Sequence, residues 1–146
     1  MVIGKPGKHI KEEDAMDHVL GYVLALDMTS RLDMKQFSLF LIKGFDTSCP
    51  IGPFIEKSRV ENVDDLDLKL SVNGTVRQYG NTKDLIHNVP SLIKYLSEYF
   101  TLEYGDLILT GTPSGISTVE HGDLIEASMG NNLTSVRFKV VNADKF

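Results

Sequence analysis

The chain contains no tryptophan and one cysteine, Cys49, in 146 residues. A single thiol excludes an intramolecular disulfide and fits a reducing compartment. Cys49 precedes Pro50, and no base stands near it in sequence, so it is not read as a nucleophile. Positive charge is also scarce. Fifteen Lys and Arg face twenty Asp and Glu, giving a net charge of −5 and a pI near 5.3. The basic residues form no stripe, which argues against nucleic acid as a partner. No apolar run reaches membrane-spanning length, so no membrane is expected either. The opening MVIGKPGKHIKEED carries neither a signal-peptide apolar segment nor an Arg/Ser-rich presequence. Met1-Val2-Ile3-Gly4 reads as the tail of a strand, so a preceding segment is expected.

What is present suits one globular domain over residues 1–146, with 42% hydrophobic and 24% charged residues. Pro6-Gly7 marks a turn, and Lys11 to Val19 a short helix with Ala15, Met16 and Val19 on its apolar side. Tyr22–Leu26, Phe37–Ile42 and Leu107–Leu109 are short apolar runs that read as buried strands. Leu66, Leu68, Leu70 and Val72 alternate with polar residues up to Asn73-Gly74. Val76 then begins the return arm of a hairpin. Asn88 caps a helix over Val89–Phe100, with Pro90 in its first turn and Val89, Leu92, Ile93, Leu96 and Phe100 as its stripe. Gly122–Ala127 and Val136–Val141 are the last strands. The class is α+β and β-rich.

Three polar points could carry chemistry. Asp27 ends an apolar stretch. It is either an Asx-type cap accepting N–H bonds from Thr29 or Ser30, or an oxygen ligand for a hard cation such as Mg²⁺. Lys43 precedes a turn rich in Gly, Asp, Thr and Ser. It either reaches solvent or polarises a substrate carbonyl, with the Thr47 and Ser48 hydroxyls close behind. Thr110-Gly111-Thr112-Pro113-Ser114-Gly115 is either a plain turn or a place where backbone meets a ligand. It lacks the lysine and glycine spacing of a phosphate loop. His9, His18, His87 and His121 are spread along the chain without ligand spacing and read as surface or structural.

Asp27-Met28-Thr29-Ser30-Arg31, Lys43-Gly44-Phe45-Asp46-Thr47-Ser48-Cys49-Pro50, Val72-Asn73-Gly74 and Gly105-Asp106-Leu107-Ile108-Leu109-Thr110-Gly111-Thr112-Pro113 stand in order through nearly the whole chain. Together they resemble the fumarylacetoacetate hydrolase family, in its small acylpyruvase and oxaloacetate decarboxylase branch. The resemblance implies a mixed β-roll that pairs as a homodimer. It implies a site holding Mg²⁺, or Mn²⁺ or Ca²⁺ in relatives, on three carboxylates. The implied substrates are short β-keto and β-diketo acids, with acylpyruvates cleaved between carbons and oxaloacetate decarboxylated or tautomerised. In that scheme Asp27 is a metal ligand, Lys43 and Thr47 are catalytic, and Gly111 and Thr112 bind substrate. The location implied is mitochondrial or cytoplasmic.

The sequence departs from the family pattern twice. The family's Glu-x-Glu metal pair lies just upstream of the strand that ends Val-Ile-Gly, so it falls outside these residues, as do its catalytic histidine and glutamate. The connection from Arg31 to Ile42 is shortened, which leaves Gln36 as the candidate for the family's substrate glutamine. The expectation is therefore an enzyme by family whose 146 residues alone are inactive. The alternative is a non-catalytic member that keeps the fold as a binding or scaffolding module.

Overall fold

Asn73 and Gly74 both have positive φ, 50° and 79°, which is the backbone a two-residue turn between right-twisted strands requires. In the computed structural model, which describes residues 1–31, 38–131 and 133–142, this turn joins strands β4 (Asp67–Val72) and β5 (Thr75–Asn81). Before them come β1 (Val2–Ile3), β2 (Val19–Tyr22) and β3 (Ile55–Glu56). After them come β6 (Leu124–Met129) and β7 (Thr134–Lys139). The strands form two antiparallel sheets, ordered β1-β2-β3 and β5-β4-β6-β7. The described residues close no barrel, and the β-rich α+β class holds.

Lys11 to Val19 contains a 3₁₀ helix, Glu12–His18. Beyond the hairpin lies the longest helix among the described residues, α2 (Val89–Tyr99). Its cap is Asn88, whose Oδ1 accepts from the Ser91 N–H at 2.9 Å. Val89, Ile93 and Ser97 turn inward. Ser97 stays satisfied in the core: its Oγ accepts from the Ile10 N–H and donates to the Lys94 carbonyl, both at 2.9 Å. These residues join Ile3, Val19, Tyr22, Ile55, Leu102 and Ile108 in the larger core. A second cluster sets Leu24, Leu26 and Met28 against Leu70, Ile125, Ala127, Val136 and Phe138 of the four-stranded sheet. Of the histidines, His18 is buried, its Nδ1 2.7 Å from the Lys5 carbonyl oxygen.

Three expected strands came out differently. The strand expected over Tyr22–Leu26 ends at Tyr22 as β2, and the chain then changes partner, with Ala25 bridging Ile51. The run Phe37–Ile42 is no strand where it is described. Leu39–Lys43 is a short α-helix, α1, and Phe37 lies outside the described residues. A short apolar run fits either element; here the Gly44 N–H bonds back to the Phe40 carbonyl and closes a helical turn. Ile42 turns inward, while Leu39, Phe40 and Leu41 stay exposed. Leu107–Leu109 forms no strand of its own among the described residues, but Leu107 bridges Val2 and the Ile108 N–H donates to the Met1 carbonyl at 2.9 Å. Ile108 is buried, and Leu107 and Leu109 are exposed. Among the described residues no helix is long and apolar enough to cross a membrane.

Candidate active site

Past β2 the chain runs extended and lies antiparallel to the arm that follows α1. The Gly52 N–H donates to the Leu24 carbonyl (2.8 Å), the Leu26 N–H to Pro50 (3.0 Å), the Met28 N–H to Ser48 (2.8 Å), and the Ser30 N–H to Ile42 (3.0 Å). Alternation sends Leu24, Leu26 and Met28 into the second core, so the intervening Asp27 points the other way. α1 ends at Lys43, where the Gly44 N–H bonds back to the Phe40 carbonyl. The ladder thereby brings the two sequence-distant charges together. Lys43 Nζ donates to Asp27 Oδ2 at 2.6 Å.

The pair is partly open to water, with the Lys43 side chain 35% and the Asp27 side chain 49% exposed. Of the two readings left open for Asp27, the structure adds a third partner: its carboxylate is taken by an ammonium. Thr47 lies in the turn that follows, exposed, with a φ of 64°. A β-branched residue in the left-handed region is a local strain of the kind found beside ligands and tight turns. Ser48 behind it is buried, its N–H bonded to the Phe45 carbonyl at 3.0 Å. Gln36 lies outside the described residues.

The segment Thr110–Gly115 belongs to a second constellation. It lies against β5. A Cβ on Gly115 (φ 98°) would stand 1.9 Å from the Arg77 carbonyl oxygen, so only glycine lets the loop seat there. Gln78 Nε2 donates to Thr112 Oγ1 at 2.8 Å and to the Pro113 carbonyl at 2.7 Å. A cavity of about 210 Å³ opens beside this clamp, lined by Gly111, Thr112, Pro113 and Ser114 together with Tyr79, Asn81, Asp84 and Leu85 among others. Asp27, Lys43 and Thr47 do not line it. The structure therefore joins Asp27 with Lys43 directly, and anchors Thr112 on a residue the sequence reading missed. The signal available for Gln78 was its place in the hairpin, opposite the inward-facing Leu70.

A hard divalent ion needs several charged oxygens around it. Among the described residues no group of three or more His, Cys, Asp or Glu could hold a metal, and Asp27 is already bound to Lys43. These residues by themselves do not fit a metal centre, and no step below runs through one.

Residues 1–141 match the fumarylacetoacetate (FAA) hydrolase C-terminal family. The chain is 44% identical over 146 residues to the mitochondrial oxaloacetate decarboxylase of Dictyostelium discoideum, covering 97% of this chain and 67% of that protein. It is 42% identical to the mitochondrial oxaloacetate tautomerase of Mus musculus, covering 99% and 67%. Among solved structures, it superposes on fumarylpyruvate hydrolase from Pseudomonas aeruginosa in complex with Mn²⁺ and pyruvate. There the TM-score is 0.90 and the identity 38%, over 96% of this chain and 62% of that one. On maleylpyruvate hydrolase from Sphingobium sp. SYK-6, solved with manganese(II) and pyruvate, the TM-score is 0.87 and the identity 37%, over 96% and 51%. The chain thus spans between about half and two thirds of the proteins it matches.

Proposed function

This chain belongs to the fumarylacetoacetate hydrolase family, and on that premise we propose that it serves an enzyme acting on short 2-oxo acids: oxaloacetate, by decarboxylation or keto–enol exchange, and acylpyruvates, by C–C hydrolysis. The observation that carries the reading is the Lys43 ammonium held against Asp27 at 2.6 Å, in a chain whose relatives are named for these reactions.

The chemistry follows from charge. Losing CO₂ from oxaloacetate, or a proton from its C3, leaves an enolate with negative charge on the C2 oxygen. Acylpyruvate cleavage, after water adds to the distal carbonyl, releases a pyruvate enolate of the same kind. Lys43 keeps N–H bonds beyond the one given to Asp27, and its positive charge opposes that developing oxyanion. Asp27 holds the ammonium in place. The Thr47 hydroxyl supplies a neutral donor in the turn after Lys43, while Gly111 and Thr112, which line the separate cavity beside β5, stay in this reading as the substrate-binding segment on the family resemblance alone. Mg²⁺, or the Mn²⁺ of the relatives' structures, would join Asp27 only with further oxygens beside it. The same reading takes the protein as a homodimer and as mitochondrial, supported for location by the names of the Dictyostelium and mouse relatives.

The test follows oxaloacetate enol–keto conversion, oxaloacetate decarboxylation and acetylpyruvate cleavage by ultraviolet absorbance. Lys43→Met should lower any turnover by about 10²–10³-fold, the usual loss when a donor to a developing oxyanion is removed. Turnover indifferent to Lys43 would refute the reading. A second reading, a binding module without turnover, is favoured by the single carboxylate of the Asp27 site. It requires that pyruvate bind to wild type while none of the three reactions proceeds.

A further inference from the structure

The hairpin aims Gln78 at the loop that carries Thr112. Its register shifts between Leu70 and Ser71: Gln78 pairs with Leu70 and Val76 with Ser71, which leaves Arg77 as the extra residue of a bulge. A bulge redirects the side chains beside it. Gln78 is half-buried there, and the loop fits closely over the same strand. A Cβ on Gly80 would stand 2.9 Å from the Pro113 Cβ.

The two bonds from Gln78 fix where protons lie. The Pro113 carbonyl, at 2.7 Å, can only accept, so the atom facing it is the amide NH₂ and not the amide oxygen. The same nitrogen gives its other hydrogen to Thr112 Oγ1 at 2.8 Å. A threonine hydroxyl has one proton, and that proton cannot point at a donor. It turns away from Gln78, and among the described residues Thr112 has no acceptor for it.

Thr112 lines the cavity of about 210 Å³ beside the clamp. Its hydroxyl is therefore a donor on the cavity wall that is ordered before a ligand arrives, the arrangement that suits an acceptor oxygen. The Tyr79 and Ser114 hydroxyls line the same cavity, yet no neighbour among the described residues orders them. Asp84, also in the lining, can only accept when ionised.

We infer that Gln78 is a positioning residue: by donating to Thr112 it makes that hydroxyl an obligate donor, and so selects a carbonyl or carboxylate oxygen of the 2-oxo acid. Gln78 acts through Thr112, without contact to substrate. The inference rests on the proposed reading that Thr112 binds substrate, and its test separates the two.

The probe is pyruvate, the 2-oxo acid of the relatives' structures. Its dissociation constant is read by ligand-observed nuclear magnetic resonance, which requires no turnover. Wild type, Gln78→Met, Gln78→Glu, Thr112→Val and the double variant Gln78→Met with Thr112→Val are compared, with circular dichroism to confirm that each is folded. Thr112→Val should weaken binding about tenfold, the loss of one hydrogen bond to a charged or strongly polar oxygen. Gln78→Met should weaken it several-fold in the wild-type background and not at all in the Thr112→Val background. That split distinguishes proton ordering from support of the loop, because Gln78 keeps its Pro113 bond in Thr112→Val and losing it would still cost affinity there. Gln78→Glu keeps the length but accepts the Thr112 proton, so it should bind pyruvate no better than Thr112→Val. It also carries the test if Gln78→Met does not fold. Equal losses from Gln78→Met in both backgrounds, or wild-type affinity in either Gln78 variant, would overturn the inference and leave Thr112 as a substrate contact. Thr112→Val binding as tightly as wild type, or no pyruvate binding by wild type, would overturn both.

Discussion

Gln78 holds Thr112 against β5: its side-chain amide nitrogen donates to the Thr112 hydroxyl at 2.8 Å and to the Pro113 carbonyl at 2.7 Å. The loop that carries Gly111 and Thr112 is otherwise mostly exposed, so this clamp is what fixes its seat on the sheet. Gln78→Ala should release it. Each neutral hydrogen bond contributes about 1 kcal/mol net, so amide hydrogen exchange over Gly111–Gly115 should speed up about tenfold. Exchange unchanged in that segment would mean that backbone packing, not Gln78, holds the loop.

The Asp27–Lys43 pair should matter little for stability. Both side chains are partly solvated, and ion pairs in such settings couple by about 0.2–1 kcal/mol. A double-mutant cycle of Asp27→Asn and Lys43→Met, read by urea unfolding, should return a coupling in that range. A coupling well above it would make the pair a structural clasp first and a reactive group second.

Acid should weaken the junction between the hairpin and β6. Asp123 accepts from the Glu120 N–H at 2.8 Å and from Asn73 Nδ2 at 2.8 Å. The backbone bond from Glu120, then the Asn73 amide, hold its carboxyl below the usual 3.8. A carboxyl with a lowered folded pKa stabilises the fold when ionised. That contribution is present above 3.8 and is lost as pH falls through the lower folded value. The stability gap between wild type and Asp123→Asn should therefore be open at neutral pH and close as the solution is acidified below pH 3.8. A gap independent of pH would show that the hydrogen bonds act without the charge.

Ile93 is fully buried on α2, at 0% exposure. Ile93→Ala removes methyl groups from the larger core and leaves a cavity, at a cost of about 2–5 kcal/mol. For a chain of this length each kcal/mol moves the melting temperature by about 2–4 °C, so calorimetry should find a drop on the order of 10 °C. Tyr99→Ala, on the exposed face of the same helix, is the control and should shift it by a small fraction of that.

Local chemistry made much of the fold legible. Asn73-Gly74 could only be a tight turn between alternating arms, because both residues accept positive φ cheaply and the flanking apolar residues repeat every second position. Asn88 followed by Pro90 and a 3.6-residue apolar stripe could only open a helix, and α2 begins there. These signals lie within a few residues of what they specify. The family motifs likewise nominated Asp27, Lys43, Thr47, Gly111 and Thr112 in advance.

Tertiary structure decided the rest, and each case has a physical cause. Leu39–Ile42 could have been strand or helix, since four apolar residues satisfy either. The run closes a helical turn as α1, and that choice sets where Lys43 ends up. Leu107–Leu109 is apolar enough for a buried strand, yet only Ile108 finds a core. The contact between Asp27 and Lys43 spans sixteen positions and exists because backbone bonds align two segments that carry no mutual signal in their residues. Gln78 looks like any polar residue of a hairpin until the loop at Thr112 folds over it. Residue types and spacing thus determined the turn and the α2 helix, because those depend on near neighbours, while the family resemblance only nominated candidate reactive groups. Which group meets which depended on long-range packing, where the partner of each side chain is chosen by the whole fold.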